Sequence, residues 1–185
     1  MDRKNLTTER LTLRAFSADD VPAVARLADN PEISRNTLRI PHPYTKADAR
    51  QWLALQEEES RAGTGAVFAI TGKERGILMG ACGLEIFPEH RRAELGYWLG
   101  RDFWGNGYAT EAAWAVVGWG FGTLGLNRIS ASRFSDNAAS GRVLEKIGMK
   151  QEGVLRRHVF RGGEFRDMVM YGILSEEWKG RIRSG

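Results

Sequence analysis

The sequence predicts a mixed α/β chain of the α+β kind, in which one domain holds a central, mostly antiparallel sheet with helices flanking it. Three observations carry this reading. Short strand-like stretches recur from Ala66 to Leu99 with turn chemistry between them. Two stretches, Thr110 to Phe121 and Asn137 to Ile147, have helical spacing. No internal repeat, low-complexity tract or Pro/Ser-rich linker divides the 185 residues, so residues 1–185 are expected to form a single domain.

The elements follow in order. Arg10-Leu11-Thr12-Leu13-Arg14 alternates polar and apolar, as a half-buried strand does, and Ser17-Ala18-Asp19-Asp20 reads as a helix N-cap with acids in the first turn. Pro41-His42-Pro43-Tyr44 breaks the chain between two helices; Thr45 and Asp48 form a capping-box pattern for the second, which runs through Trp52, Leu53 and Leu55. In the middle of the chain, 72–76 (Gly-Lys-Glu-Arg-Gly) and Pro88-Glu89-His90 separate three strands as antiparallel hairpins require. The Thr110 helix follows, then the short strand Ile129-Ser130-Ala131-Ser132, then a helix stopped by Gly148. Val154 to Phe160 and Met168 to Leu174 are expected to pair around Arg161-Gly162-Gly163-Glu164.

Composition removes several function classes. Hydrophobic residues at 42% and charged residues at 27% are ordinary for a globular chain and set disorder aside. Met1-Asp2-Arg3-Lys4-Asn5 leads into no apolar h-region, and no apolar run approaches the roughly 20 residues of a membrane helix, so a cytoplasmic protein without membrane attachment is expected. Cys82 is the only cysteine and lies in an apolar run, which makes it a small core residue rather than a nucleophile. His42, His90 and His158 are far apart with no second ligand at metal spacing, and no metal is expected. The net charge of +4 suits an anionic partner. Its basic residues are scattered among Arg26, Arg50, Lys73, Arg91, Arg128, Lys146, Arg156 and Arg181, which speaks against a nucleic-acid surface.

The strongest chemical signal is the strand Glu94-Leu95-Gly96-Tyr97-Trp98-Leu99 running into Trp104-Gly105-Asn106-Gly107-Tyr108-Ala109-Thr110-Glu111 at the mouth of a helix. Unpaired N–H groups and the positive dipole at a helix start suit a pyrophosphate, and small residues let it come close. A tight strand-to-helix turn is the plainer alternative. The loop has no lysine for a Walker pattern, and Thr110 stands where a dinucleotide fingerprint needs glycine or alanine. It also follows hairpin-like strands rather than opening a parallel βαβ unit.

A second signal lies downstream, where Asn137-Ala138-Ala139-Ser140 begins a helix ending Glu145-Lys146-Ile147-Gly148-Met149. With the opening Glu9-Arg10-Leu11-Thr12-Leu13-Arg14, the late Asp167 and Tyr171, and Glu177-Trp178, the chain resembles the GNAT superfamily of N-acetyltransferases over nearly its whole length. The closest resemblance is to the RimJ/RimL branch, which acetylates ribosomal-protein N-termini. The resemblance implies a GNAT-like sheet with a splayed strand pair, and acetyl-CoA as co-substrate. It places Gly105, Asn106, Gly107, Tyr108, Ala109 and Thr110 at the CoA phosphates, chiefly through backbone N–H groups. Trp104 stands where the superfamily often has Gln or Arg. The backbone of Tyr97, Trp98 and Leu99 is implied to pair with the pantetheine arm, and a backbone N–H there to meet the oxyanion.

The resemblance also implies the remaining roles. Glu94 resembles the glutamate that serves as base, usually through water; a surface or salt-bridged glutamate is the alternative, and Glu85, Glu111 and Asp167 are rivals. A free α-amine, of pKa about 8, needs only a modest base. Asn137 matches the asparagine that bonds the cofactor arm and Ser140 the serine near the thioester sulfur, although both could be helix caps. His42 and Tyr44 fall where the family builds part of its acceptor pocket, with a rigid turn as the equal alternative. Trp52, Trp114 and Trp119 are read as core. The leading expectation is direct acetyl transfer in a ternary complex to a primary amine, with a protein N-terminus ahead of an antibiotic or polyamine. The alternatives are a non-catalytic CoA-binding or ribosome-associated protein and, most weakly, an RNA-binding module. Assembly, including a homodimer, is left open.

Overall fold

The structure is a computed structural model that describes residues 4–180; the first three residues and Arg181 of the readings above lie outside the described residues. Eight strands form one sheet: β1 (Leu6–Thr7), β2 (Leu11–Arg14), β3 (Gly65–Gly72), β4 (Leu78–Phe87), β5 (Arg92–Leu99), β6 (Arg128–Phe134), β7 (Lys150–Arg161) and β8 (Glu164–Leu174). Their order across the sheet is β1-β2-β3-β4-β5-β6-β8-β7. Every neighbouring pair is antiparallel except β5 and β6, which run parallel and pair only at Arg92 with Arg128, Ala93 with Ile129 and Glu94 with Ser130. Beyond Glu94 and Ser130 the two strands part, and the sheet opens into a V.

Among the described residues five α-helices flank the sheet: α1 (Val21–Ala28), α2 (Pro31–Asn36), α3 (Lys46–Ala62), α4 (Tyr108–Gly122) and α5 (Ala138–Lys146). The two-residue strand period sorts the core into two layers. On β3, Phe68 and Ile70 pack with Val116 and Val117 of α4, whereas Ala69 between them packs with Val24 of α1 and Ala49 of α3. On β5, Ala93, Leu95 and Leu99 belong to the α4–α5 layer and Trp98 to the α1–α3 layer. Glu94, Gly96 and Trp98 therefore share one face of β5, and Tyr97 lies on the other.

Helix starts follow their capping residues. The Thr45–Asp48 box closes on α3, with Thr45 N–H donating to Asp48 Oδ2 at 2.7 Å and Asp48 N–H to Thr45 Oγ1 at 3.3 Å. Helix α2 begins at Pro31 behind the cap Asn30, whose Oδ1 accepts from Glu32 N–H at 2.8 Å. Helix α4 begins two residues before the expected Thr110 and is buried around much of its girth, because it packs under the sheet with small residues. A Cβ on Gly120 would lie 2.9 Å from both Ile129 Cδ1 and Leu84 Cδ1, so glycine is what lets this helix lie so close. The last hairpin turns at residues 162 and 163, so that β8 starts at Glu164, four residues before the expected Met168. No described helix is long and apolar enough to cross a membrane.

Candidate active site

The open V and the start of α4 share one cleft of about 1050 Å³. Its floor is the turn from β5 into α4. Gly107, the N-cap of α4, has φ 78, a left-handed conformation that glycine adopts without a Cβ penalty, and no side chain caps the helix. The first helical bond is Glu111 N–H to Gly107 O at 3.1 Å. The amides of Tyr108, Ala109 and Thr110 thus begin the helix without intrahelical partners, and all three residues line the cleft together with Gly105 and Gly107. Asn106 is in the turn but not among the described lining residues; its side chain donates to Trp104 O at 2.9 Å.

This turn is held from behind by contacts that sequence reasoning missed. Glu111 is buried, accepting from Thr8 Oγ1 at 2.6 Å, Arg10 N–H at 2.9 Å and Arg10 Nε at 2.7 Å. Arg10 Nη1 donates in turn to Asn106 O at 2.9 Å, and its guanidinium lies 4.7 Å from the centre of the Tyr108 ring. Burial works to raise the Glu111 carboxyl, but the hydrogen bonds from Thr8 and Arg10 outweigh it and hold the group below its ordinary range. The sequence carried one trace of this: Glu111, in the first turn of α4, is the one charged residue of that helix. Trp104 closes the other side, donating Nε1–H to Leu99 O at 2.8 Å.

The walls of the V carry complementary chemistry on opposite faces of the sheet. On the α1–α3 face, Glu94 lines the cleft half-buried and accepts from Ser132 Oγ at 3.0 Å across the gap. Glu85 stands directly beside it on β4 and pairs with Arg39 of the α2–α3 loop at 3.2 Å. On the α4–α5 face, Tyr97 Oη lies 2.8 Å from Ser140 Oγ. Asn137 caps α5, its Oδ1 accepting from Ser140 N–H at 3.1 Å. Trp98 and Leu99 also line the cleft.

The remaining candidates are separated by the fold. Tyr44 lines the cleft, and burial, with the nearby Asp48 carboxylate, pushes its hydroxyl up to about 12. His42 is not among the described lining residues: its Nδ1 lies 3.0 Å from Asp29 Oδ1, which also accepts from Tyr44 N–H at 2.9 Å, so Asp29 pins a rigid turn. Asp167 also lies outside the lining and accepts from Arg157 N–H at 2.7 Å. Trp52, read as core, lines the cleft edge-on to Trp98 with ring centres 6.4 Å apart. Trp114 and Trp119, partly buried, pack against the core. Cys82 is fully buried, and burial pushes its thiol up.

A splayed parallel pair, an uncapped glycine-led helix start and one cleft joining them offer an anion-binding turn beside free strand backbone. Residues 10–150 match the acetyltransferase (GNAT) domain family, so the chain belongs to the GNAT acetyltransferases and is an acetyl-CoA-dependent acyltransferase. It is 34% identical to the uncharacterized N-acetyltransferase p20 of Bacillus licheniformis over 179 residues, covering 96% of this chain and 99% of that one. It is 25% identical to the [ribosomal protein uS5]-alanine N-acetyltransferase of Escherichia coli (strain K12) over 181 residues, covering 94% and 92%. The structure of Mycobacterium smegmatis RimJ in complex with CoA-disulfide is similar at a TM-score of 0.83 and 25% identity, covering 91% of this chain and 84% of that one. Acetyl transfer to an amine and RimJ/RimL-like kinship follow from these matches.

Proposed function

We propose that this acetyltransferase acts on the α-amine of a protein or peptide N-terminus by direct attack on acetyl-CoA in a ternary complex. The observation that carries the proposal is the V between β5 and β6, with Glu94 on one face and Ser140 on the other. A donor entering along the α4–α5 side and an amine entering along the α1–α3 side meet only through that opening. The uS5 relative, which by its name acts on a protein alanine, supports the choice of acceptor.

The residues then take these roles. The amides of Tyr108 to Thr110 and the turn at Gly105–Gly107 hold the pyrophosphate, and Asn137 with the β5 backbone of Tyr97 to Leu99 holds the pantetheine arm. Glu94 accepts the proton shed by the attacking amine, through a water, with Ser132 fixing its carboxylate. A β5 backbone N–H meets the oxyanion, and the Ser140 hydroxyl hydrogen-bonds the departing thiolate. Tyr44, Trp52 and Trp98 form the acceptor wall, while His42 supports its loop through Asp29.

A second reading has its own observation: Glu59, Glu85 and Glu94 all line the acceptor end, which suits a small polycation. One experiment separates the two. Free-CoA release from acetyl-CoA is followed with a thiol reagent against peptides with free N-termini, polyamines, aminoglycosides and amino acids. Fastest release with peptides supports the first reading and fastest release with polyamines the second; binding of acetyl-CoA without release by any acceptor overturns both.

A further inference from the structure

Tyr97 has a side chain placed for more than packing. It stands on the α4–α5 side of β5, past the point where that strand leaves β6, and its hydroxyl crosses to the first turn of α5. There it lies 2.8 Å from Ser140 Oγ and 3.2 Å from the Ser140 carbonyl oxygen. Ser140 is fixed from its other side by the Asn137 cap. The 2.8 Å separation is that of a full O–H···O hydrogen bond. Either oxygen can donate across this contact, and the Ser140 carbonyl also accepts from the single Tyr97 proton at 3.2 Å; a phenol is a much stronger acid than an aliphatic alcohol, which favours Tyr97 as the donor on the shorter contact.

Burial pushes the Tyr97 hydroxyl well above the ordinary tyrosine range, although the Ser140 contact and the Arg133 cation pull the other way. The group therefore stays protonated, and stays a donor, at neutral and mildly alkaline pH. Arg133 reinforces the pair from behind. Its Nη1 donates to the carbonyls of Phe134 and Ser135, Nη2 reaches Tyr171 Oη at 3.4 Å, and its buried Nε has no hydrogen-bond partner. Its positive charge bears on the Tyr97 hydroxyl electrostatically.

We infer that Tyr97 is a positioning residue for acetyl transfer: its hydroxyl donates to Ser140 Oγ, turns the Ser140 proton toward the departing sulfur and stabilises the negative character Ser140 then acquires. This rests on the acetyl-transfer reading above. In the step, the amine lone pair forms the new C–N bond and the C–S bond breaks with its electron pair passing to sulfur. The nitrogen's proton passes through water to Glu94. CoA leaves as a thiolate, a far better leaving group than an alkoxide, held by the Ser140 hydroxyl. No proton leaves Tyr97; its contribution is the polarised two-hydroxyl chain.

The test is a double-mutant cycle of Tyr97→Phe and Ser140→Ala, using acetyl-CoA and whichever acceptor of the panel gives the fastest release. Tyr97→Phe keeps the ring and should lower kcat about tenfold, the loss of one hydrogen bond to a developing charge. Acetyl-CoA affinity by calorimetry should stay unchanged, which also reports that the site is folded. In the Ser140→Ala background the second change should lower kcat no further, because Tyr97 acts through Ser140. Wild-type kcat in Tyr97→Phe, a loss that multiplies undiminished onto Ser140→Ala, or a loss confined to acetyl-CoA affinity overturns this inference alone. A wild-type enzyme inert toward every acceptor removes the acetyl-transfer reading and this inference with it.

Discussion

Glu94 and Glu111 show how two carboxylates in one cleft region come to do different work. Glu94 lines the cleft with one hydroxyl, Ser132, to orient its carboxylate, the geometry of the base proposed above. Replacing Glu94 with Gln keeps the shape and removes the base; kcat should fall roughly 10²-fold with acetyl-CoA affinity unchanged, as steady-state rates and calorimetry will report. Glu111 is tied down by Thr8 and Arg10 and cannot serve as a base. Because its folded pKa is depressed, it adds stability above the unfolded value of about 4.3, and that stability is lost as pH falls through the folded pKa. Glu111→Gln should therefore cost about 1–3 kcal/mol at pH 7 and much less at pH 3, measured by denaturant unfolding at the two pH values. A difference that persists undiminished at pH 3 would show that packing, not charge, is responsible. Sequence reading placed Glu94 on the strand beside the loop but left Glu111 as its rival. The deciding contacts come from Thr8 and Arg10, about a hundred residues away, and no local pattern encodes them.

At the scale of elements, the start of α4 is where the proposed phosphate site is built. Its sequence signal was strong because glycine at 105 and 107 has a backbone reason, the left-handed φ of 78 at both positions. At Gly107 a Cβ would come within 3.4 Å of only one atom, Arg10 Nη2, so the cost of substitution is conformational strain more than collision. Gly107→Val should shift the turn away from αL and weaken CoA at least about tenfold in calorimetry, while far-UV circular dichroism stays that of the wild type. Unchanged affinity would remove the phosphate assignment from this loop. Elements with weaker local signals were harder to read. Helix α2 is six residues long with one buried apolar residue, Ile33, too short to show a period, and β1 has only two residues. In the last hairpin Glu164, Arg166 and Asp167 are charged, so the apolar pattern marks β8 only from Met168 onward. His42 and Tyr44 share a legible turn, but which of them faces the cleft is fixed by Asp29, a partner outside the motif.

Across the whole molecule, the V is a property of topology. The pairing of β5 and β6 stops after Glu94 and Ser130, and α4 follows β5 and α5 follows β6 with the cleft between their starts. What sequence does show is the alternation that puts Glu94 and Tyr97 on opposite faces, three positions apart on one strand. The same topology makes donor binding a stabiliser of the whole fold, since the cleft draws on β4, β5, β6, α4, α5 and the α2–α3 loop together. A ligand that bridges so many elements binds the folded chain and not the unfolded one. At a concentration 100-fold above its dissociation constant, acetyl-CoA should add about 2.7 kcal/mol. For a chain of this size that corresponds to a rise in Tm of about 5–10 °C in differential scanning calorimetry. The Gly107→Val variant, whose own Tm should be lower because of the strain at this left-handed position, should show about half of that rise or less at the same acetyl-CoA concentration. An equal rise in both proteins would mean that the donor is held elsewhere in the cleft, along β5 and α5 rather than at the start of α4.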